Sequence, residues 1–311
     1  MTEITPWHWI GFIICILVFL ALDLGVLNRR ERVVKFKEAL AWSALWFSLA
    51  MLFAGLLAYW RNHEEAVEFV TGYVIEYSLS LDNIFVIAVI FSYFQVAPES
   101  RHRLLFWGVL GALVMRGIMI LAGIELIRRF GWILYLLGAF LVFTGSKMFF
   151  SGGKPENPED NFAIRFTKKF FPKFMVNQSG KGVVPFIFVL FLIEFTDLIF
   201  ALDSIPAIFA VTTKPFVVFT SNVFAILGLR SLYFVLAEAI DYFRYLKTGL
   251  AAVLVFVGVK MLLSPHGREP QWFQVEIPTL ISLLVIAGIF LTCIVLSVIV
   301  ARREKLHART D

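Results

Sequence analysis

Long apolar runs separated by short polar stretches make up most of the chain. A helix that crosses about 30 Å of hydrocarbon needs roughly 20 residues, and nine runs are long enough to do so. The pattern therefore predicts an all-α, polytopic membrane protein with nine transmembrane helices. The predicted spans are residues 7–27, 37–60, 68–94, 104–124, 132–150, 184–210, 216–238, 247–264 and 277–301.

The composition agrees with a membrane protein and leaves little chain for a soluble domain. Hydrophobic residues make up 59% of the chain and charged residues 16%, whereas a soluble domain is about half apolar and a quarter charged. The net charge of +5 does not indicate nucleic-acid binding, because basic residues collect in the cytoplasmic loops of membrane proteins. Cys15 and Cys293 lie far apart in apolar segments and have no metal-motif spacing.

Basic residues follow every odd-numbered span, within residues 29–37, 101–103, 154–181, 244–247 and 302–309. This alternation predicts an N-terminus outside and a C-terminus in the cytoplasm. The loop 151–183 is the one long polar segment. Its phenylalanines at 162, 166, 170 and 174 alternate with basic residues, a spacing typical of an amphipathic helix on the cytoplasmic membrane face. A solvated linker is the alternative.

Two parts of the chain resemble each other. Glu76 and Asp82 are six residues apart, as are Asp197 and Asp203, and GALVMR (111–116) and LVFTGSKM (141–148) correspond to AILGLR (225–230) and LVFVGVKM (254–261). A unit of three helices has an odd number of crossings, so the second copy is inverted in the membrane, an arrangement typical of secondary transporters. The predicted organisation is two N-terminal helices (1–66), a first repeat (67–150), the loop (151–183), an inverted second repeat (184–265) and a last helix with a basic tail (266–311).

Five carboxylates lie toward the middle of predicted spans three and six, namely Glu76, Asp82, Glu194, Asp197 and Asp203. Ionised groups at that depth are costly and usually functional. One interpretation is structural pairing with Arg116 and Arg230, since Lys147 and Lys260 lie at span ends and are expected to extend to the membrane interface. The other is a surplus of buried negative charge that a cation or protons neutralise, and the two arginines can serve both roles.

The candidate ligand set consists of oxygen atoms. Beside the acids lie Asn83 and Ser204, with Ser80 and Thr196 as further candidates. Pro206 has no N–H, so the carbonyl of Leu202 loses its helical partner, and we expect a break in the helix there, with a continuous kinked helix as the alternative. Oxygen ligands suit Mg²⁺, Ca²⁺ or Mn²⁺.

Two further polar residues have open roles. Asp23 is either a gate at the cytoplasmic end of span one or an interfacial carboxylate paired with Arg29 or Arg30. Asn222 is either a ligand from span seven or a helix-packing contact.

Four long blocks resemble the TerC family of integral membrane proteins: EYSLSLDNIFV, RHRLLFWGVLGALVMR, EFTDLIFALDSIPAIFAVT and TSNVFAILGLRSLYF. The first helix, with LALDLGV, is similar to that of the Alx-type branch. The family belongs to the LysE-type transporter superfamily, and the resemblance implies manganese export from the bacterial cytoplasm. The family's acidic motif positions fall on Glu76, Asp82, Asn83, Glu194, Asp197, Asp203 and Ser204.

These observations together lead us to expect an inner-membrane transporter that exports Mn²⁺ by alternating access, with proton exchange as an option. Ca²⁺ and Mg²⁺ remain alternative ions. A membrane-bound assembly factor that metallates or inserts other proteins is the alternative function. We expect no enzymatic activity and no cofactor; the expected partners are the transported divalent ion and membrane lipid.

Overall fold

The structure is a computed structural model that describes residues 4–27, 36–150, 186–239, 245–265 and 274–307. This part of the chain forms nine α-helices: α1 (Pro6–Leu27), α2 (Phe36–Trp60), α3 (His63–Tyr93), α4 (Pro98–Arg129), α5 (Ile133–Phe150), α6 (Phe186–Phe209), α7 (Pro215–Ala239), α8 (Leu246–Leu263) and α9 (Thr279–His307). No strand occurs in the described ranges, so the all-α prediction is confirmed.

Seven of the nine helices are long and apolar enough to cross a membrane. In α1, the apolar stretch Pro6–Ala21 is shorter than a full membrane span. α6 carries three carboxylates, Glu194, Asp197 and Asp203, along its length, which sets it apart from the seven apolar helices. Large apolar side chains on the outer surface, among them Leu52, Ile118 and Leu284, are more than half exposed, as expected of groups that contact lipid.

The helices extend beyond the predicted spans where polar residues continue the helical pattern. α3 begins at His63, with the Asn62 side chain accepting a hydrogen bond from the Glu65 backbone N–H at 2.7 Å, a favourable N-cap. Arg61 donates to both carboxylate oxygens of Glu65 at 2.9 and 3.0 Å, which raises the pKa of the guanidinium. Hydropathy detects the lipid-crossing part of a helix and therefore misses such polar ends.

Small residues bring pairs of helices close together. α5 and α8 pack in opposite directions, with Gly138 against Gly258 and Gly145 against Ala251. α4 packs along α6, and α3 packs along α7, where a Cβ at Gly72 would lie 2.9 Å from Ser221 Oγ. A second apolar cluster joins α1 and α2 to α3 and α7 through aromatic residues, including Phe12, Trp46, Phe69 and Phe224.

The expected break at Pro206 is wrong. α6 is one continuous helix from Phe186 to Phe209 with Pro206 inside it, which agrees with the alternative of an unbroken helix. A proline is tolerated within a membrane helix when neighbouring helices and local adjustments compensate the freed backbone group, and here Pro206 is buried within the bundle. No unwound segment therefore offers the Leu202 carbonyl as a ligand.

Several expectations fall outside the described residues. The loop 151–183, with its predicted amphipathic helix, is one of them, as are Arg29 and Arg30. The backbone of Asp23 belongs to α1, but its side chain lies outside the described part.

Candidate functional site

Arg116 connects the two acidic helices inside the bundle. Its Nε and Nη2 atoms donate to the two carboxylate oxygens of Asp197 at 3.1 and 2.8 Å. Its Nη1 atom pairs with Glu76 Oε1 and donates to Ser204 Oγ at 3.3 Å. Arg116 is 1% exposed, Glu76 0% and Asp197 9%. One guanidinium on α4 therefore holds a carboxylate from α3 and another from α6 by charge-assisted hydrogen bonds.

Close helix packing gives this arginine its position. A Cβ at Gly108 on α4 would lie 3.1 Å from Ile193 of α6, so the two helices approach closely there. On α3, Glu76, Ser80 and Asn83 follow the spacing of four and three residues that places side chains on one helix face. Ser80 Oγ lies 3.5 Å from Glu76 Oε1, at the limit of a hydrogen bond.

Two buried oxygens next to Arg116 accept no hydrogen bond from the described residues. They are Glu76 Oε2 and Asn83 Oδ1. Asn83 instead uses its Nδ2 atom, which donates to Asp197 Oδ1 at 3.2 Å. Buried acceptors are nearly always bonded, so these two oxygens are the available ligand atoms beside the arginine.

A second acidic pair, Asp82 and Asp203, is closer to solvent. Asp82 Oδ1 lies 3.6 Å from Lys247 Nζ, and these side chains are 17% and 41% exposed. Asp203 accepts a hydrogen bond from the Thr144 hydroxyl and is close enough to Asp82 for their charges to interact. This pair thus joins the middle of α3 and α6 to α5 and the start of α8.

Glu194 occupies a third position. Its carboxylate fills the space where a side chain at Gly111 would lie, and its charge interacts with that of Asp197. Gly111 on α4 therefore leaves room for a carboxylate from α6. A substitution at Gly111 would have to displace the end of the Glu194 side chain.

The five carboxylates are thus divided rather than gathered around one point. Within the part of the chain that the structure describes, no group of three or more His, Cys, Asp or Glu side chains is arranged to hold a metal ion. In the observed arrangement, the position between Glu76 and Asp197 is taken by a guanidinium.

The remaining candidate residues have other surroundings. Thr196 Oγ donates to the Leu192 carbonyl at 2.7 Å, and Leu202 is 52% exposed. Asn222 is buried, and its Nδ2 atom has no hydrogen-bond partner among the described residues. Arg230 Nη2 lies 2.9 Å from His102 Nε2.

A cavity of about 880 Å³ lies at one end of the bundle, between the starts of α3, α5 and α9, the ends of α6 and α8, and the turn that leads from α6 to α7. We refer to it as the end cavity. Glu68 lines it, is 6% exposed, and accepts hydrogen bonds from Thr212 Oγ at 3.0 Å and Lys214 Nζ at 3.1 Å.

Lys260 also lines the end cavity, and its charge interacts with that of Glu68. The prediction that this lysine extends to the interface is wrong, because it is 5% exposed. Lys147, the corresponding residue of α5, is exposed. Glu68 could not be recognised from the sequence. It lies at the predicted edge of span three, where a carboxylate can reach water and its burial costs little free energy.

The chain matches the model of the family described as "Integral membrane protein TerC family" over residues 61–305. The chain belongs to the TerC family. It is 49% identical to "Uncharacterized membrane protein STKORF319" of Myxococcus xanthus, covering 99% of this chain and 95% of that protein. It is 42% identical to "Putative membrane-bound redox modulator Alx" of Escherichia coli K12, covering 94% of each. No solved structure matches the chain significantly.

Proposed function

We propose that this TerC family member is a divalent-cation transporter that exports Mn²⁺ from the cytoplasm through the acidic site between α3 and α6. The observation that carries the proposal is the burial of Glu76 and Asp197, at matching positions of the two acidic stretches, with one arginine between them. Two carboxylates against one guanidinium leave an excess negative charge in a place where an isolated charge is costly. A bound cation offsets this negative charge.

The open ligand atoms support a hard cation. Glu76 Oε2 and Asn83 Oδ1 are buried acceptors without a donor in the described ranges, and Ser80 and Ser204 supply hydroxyls next to them. Carboxylate and carbonyl oxygens favour Mg²⁺, Ca²⁺ or Mn²⁺ over softer metals. The choice of Mn²⁺ among these three rests on the resemblance to the family.

Helix packing supports the inverted repeat that alternating access requires. Aligning LVFTGSKM with LVFVGVKM pairs Gly145 with Gly258 and Gly138 with Ala251. The observed contacts of α5 with α8 are Gly138 with Gly258 and Gly145 with Ala251. Replacing each residue of the first contact by its aligned counterpart gives the second contact, as two-fold symmetry requires. Likewise, α3 packs on α7 and α4 on α6, as a two-fold axis relating the repeats predicts.

The proposed location is the bacterial cytoplasmic membrane, with the N-terminus outside. In this orientation the end cavity opens outward, and Lys247 lies toward the cytoplasm. The ion enters from the cytoplasm past Asp82 and Asp203, exchanges its water for carboxylates, and leaves when one repeat rocks against the other. Proton uptake by the emptied carboxylates is one way to drive this cycle. The protein carries out transport and no chemical transformation.

Mn²⁺ flux by the purified protein in liposomes tests the proposal. We expect wild-type vesicles to move Mn²⁺ and Asp82→Asn and Asp203→Asn each to lower the rate by about tenfold or more, since even outer-shell changes at metal sites cost 10–100-fold. Glu125→Gln is the matched control, because Glu125 is an exposed carboxylate on α4 paired with Arg129. Competition with Ca²⁺ and Mg²⁺ then ranks the ions.

Normal flux in both aspartate variants would remove these positions from the site. The absence of flux from correctly folded wild-type protein would favour a membrane-bound assembly factor instead. It would also favour the redox role that the name of the Escherichia coli relative states.

A further inference from the structure

We infer that Arg116 is a tethered cation that takes the place of the transported ion in the empty carrier. This inference rests on the proposed function and concerns how the same site is regulated. The guanidinium is held by the same buried carboxylates, Glu76 and Asp197, that would hold a divalent ion. The arginine and the ion therefore compete for one set of oxygens.

The contacts explain why Arg116 can act this way. Three of its nitrogens point at oxygen atoms of α3 and α6, with Asp197 held at both oxygens. The planar fork of arginine suits this bidentate geometry, and its charge persists at all physiological pH values. Arg116 and Glu76 belong to the first predicted repeat and Asp197 to the second, so the arginine also bridges the boundary between the repeats.

Two acceptor atoms are available for an ion to begin binding before the arginine leaves. Glu76 Oε2 and Asn83 Oδ1 are buried next to the arginine-bound oxygens and accept no hydrogen bond from the described residues. A divalent ion that first binds these two oxygens weakens the hold on Arg116 by like-charge repulsion. Displacement of the guanidinium then frees Glu76 Oε1 and Asp197 Oδ2 for the ion, while Asp197 Oδ1 keeps its hydrogen bond from Asn83 Nδ2.

Charge counting gives the consequence for transport. With Arg116 in place, the two carboxylates and the arginine sum to −1. With a divalent ion in place and the arginine displaced, the two carboxylates and the ion sum to zero, and the arginine carries its +1 outside the site. Without either cation, the sum is −2 in a region where buried charge is costly. The arginine therefore lets the empty carrier reorient, a step that net export requires and that exchange of one Mn²⁺ for another does not.

The test compares two fluxes of the same vesicles: net Mn²⁺ movement down a gradient, and exchange of radioactive Mn²⁺ with equal concentrations on both sides. For Arg116→Gln we expect net flux to fall by about tenfold or more, equivalent to about 1.4 kcal/mol in a barrier. Exchange stays within a few-fold of wild type, and Mn²⁺ binds more tightly, as measured by the electron paramagnetic resonance signal of free Mn²⁺. Arg116→Lys restores part of the net flux, because it keeps the charge.

Arg230→Gln is the matched control. Arg230 is buried to 5% exposure on α7, at the aligned position of the second repeat, and contacts His102. A general effect of losing a buried arginine lowers net flux and exchange together, so their ratio should stay at the wild-type value in this variant.

Each outcome decides a different question. An Arg116→Gln variant that loses both fluxes equally, or binds Mn²⁺ more weakly, would make Arg116 a purely structural clamp. If Arg116→Gln does not fold, Arg116→Lys decides: net flux and exchange that fall equally would overturn the inference, whereas a partly lowered ratio of net flux to exchange would support it. Lack of any Mn²⁺ movement by the wild type contradicts the proposed function itself.

Discussion

Gly258 of α8 lies directly against the backbone of Gly138 of α5: a Cβ at Gly258 would be 2.8 Å from the Gly138 carbonyl oxygen and 2.8 Å from the Val142 nitrogen. Both obstacles are backbone atoms, which cannot move aside as a side chain can. Small residues at such crossings let membrane helices approach closely, because packing rather than water exclusion drives their association. The α5–α8 contact therefore depends on the missing side chain.

Gly258→Ala is expected to destabilise the protein by about 1–3 kcal/mol, the usual cost of overpacking. Thermal unfolding in detergent measures the effect. Gly55→Ala on α2 and Gly288→Ala on α9 are the controls, because a Cβ at either position meets nothing within 4 Å. Both should leave the unfolding temperature unchanged or raise it slightly, since alanine favours helix. A Gly258→Ala protein as stable as these controls would contradict the close contact.

For the described ranges, the sequence was sufficient to predict the number, order and type of the helices, because each long apolar run marks one of them. It also identified Glu76 and Asp197, since a carboxylate inside an apolar run is conspicuous, but it did not identify the buried Glu68. The helix ends were less accurate: α4 begins at Pro98, six residues before the predicted span, because its first turn is polar and therefore invisible to hydropathy.

The pairing of charges could not be predicted in the same way. Arg116 and Arg230 occupy equivalent places in the repeated motifs, yet Arg116 binds the acids whereas Arg230 contacts His102. His102 has no counterpart in the repeat pattern, so symmetry alone could not assign these partners. Pro206 likewise suggested a break from its chemistry, but the packing around it maintains a continuous helix.

Lys247 is expected to compete with a cation at Asp82. The Nζ atom lies 3.6 Å from Asp82 Oδ1, and the lysine is 41% exposed, so its attraction is partly screened and worth about 0.2–1 kcal/mol. Lys247→Gln should lower the KM for Mn²⁺ at the cytoplasmic face by up to about fivefold. Flux measured against Mn²⁺ concentration on that side checks this.

The control for Lys247 is Lys37→Gln, which removes an exposed lysine from the start of α2. It should leave the KM unchanged. Added salt should reduce the difference between wild type and Lys247→Gln, because screening weakens the partly exposed pair. A higher KM in Lys247→Gln would mean that the lysine supports binding rather than opposing it.

The proposed orientation predicts which loops a membrane-impermeant thiol reagent can reach. In a Cys15→Ala, Cys293→Ala background, Thr213→Cys should react from outside, because Thr213 is exposed and lines the end cavity. Ala97→Cys, in the exposed turn between α3 and α4, should react only from the cytoplasmic face. Labelling of intact cells and of inside-out vesicles separates the two. Reaction of both positions from the same face would overturn the alternating topology.

Glu68 and Lys260 should stabilise the protein as a coupled pair at the end cavity. Both are buried, and their charges interact, so Glu68→Gln leaves Lys260 without its countercharge. Breaking a buried pair in direct contact costs about 3–5 kcal/mol, whereas replacing both partners is often neutral; Glu68 and Lys260 interact only at a longer distance, which lowers the expected cost. The half-exposed Lys214 also binds Glu68, so we expect the lower part of this range.

Glu68→Gln combined with Lys260→Met should therefore be more stable than Glu68→Gln alone. Unfolding free energies of the four proteins in the double-mutant cycle measure the coupling, and strictly additive effects would show that the two charges do not stabilise each other.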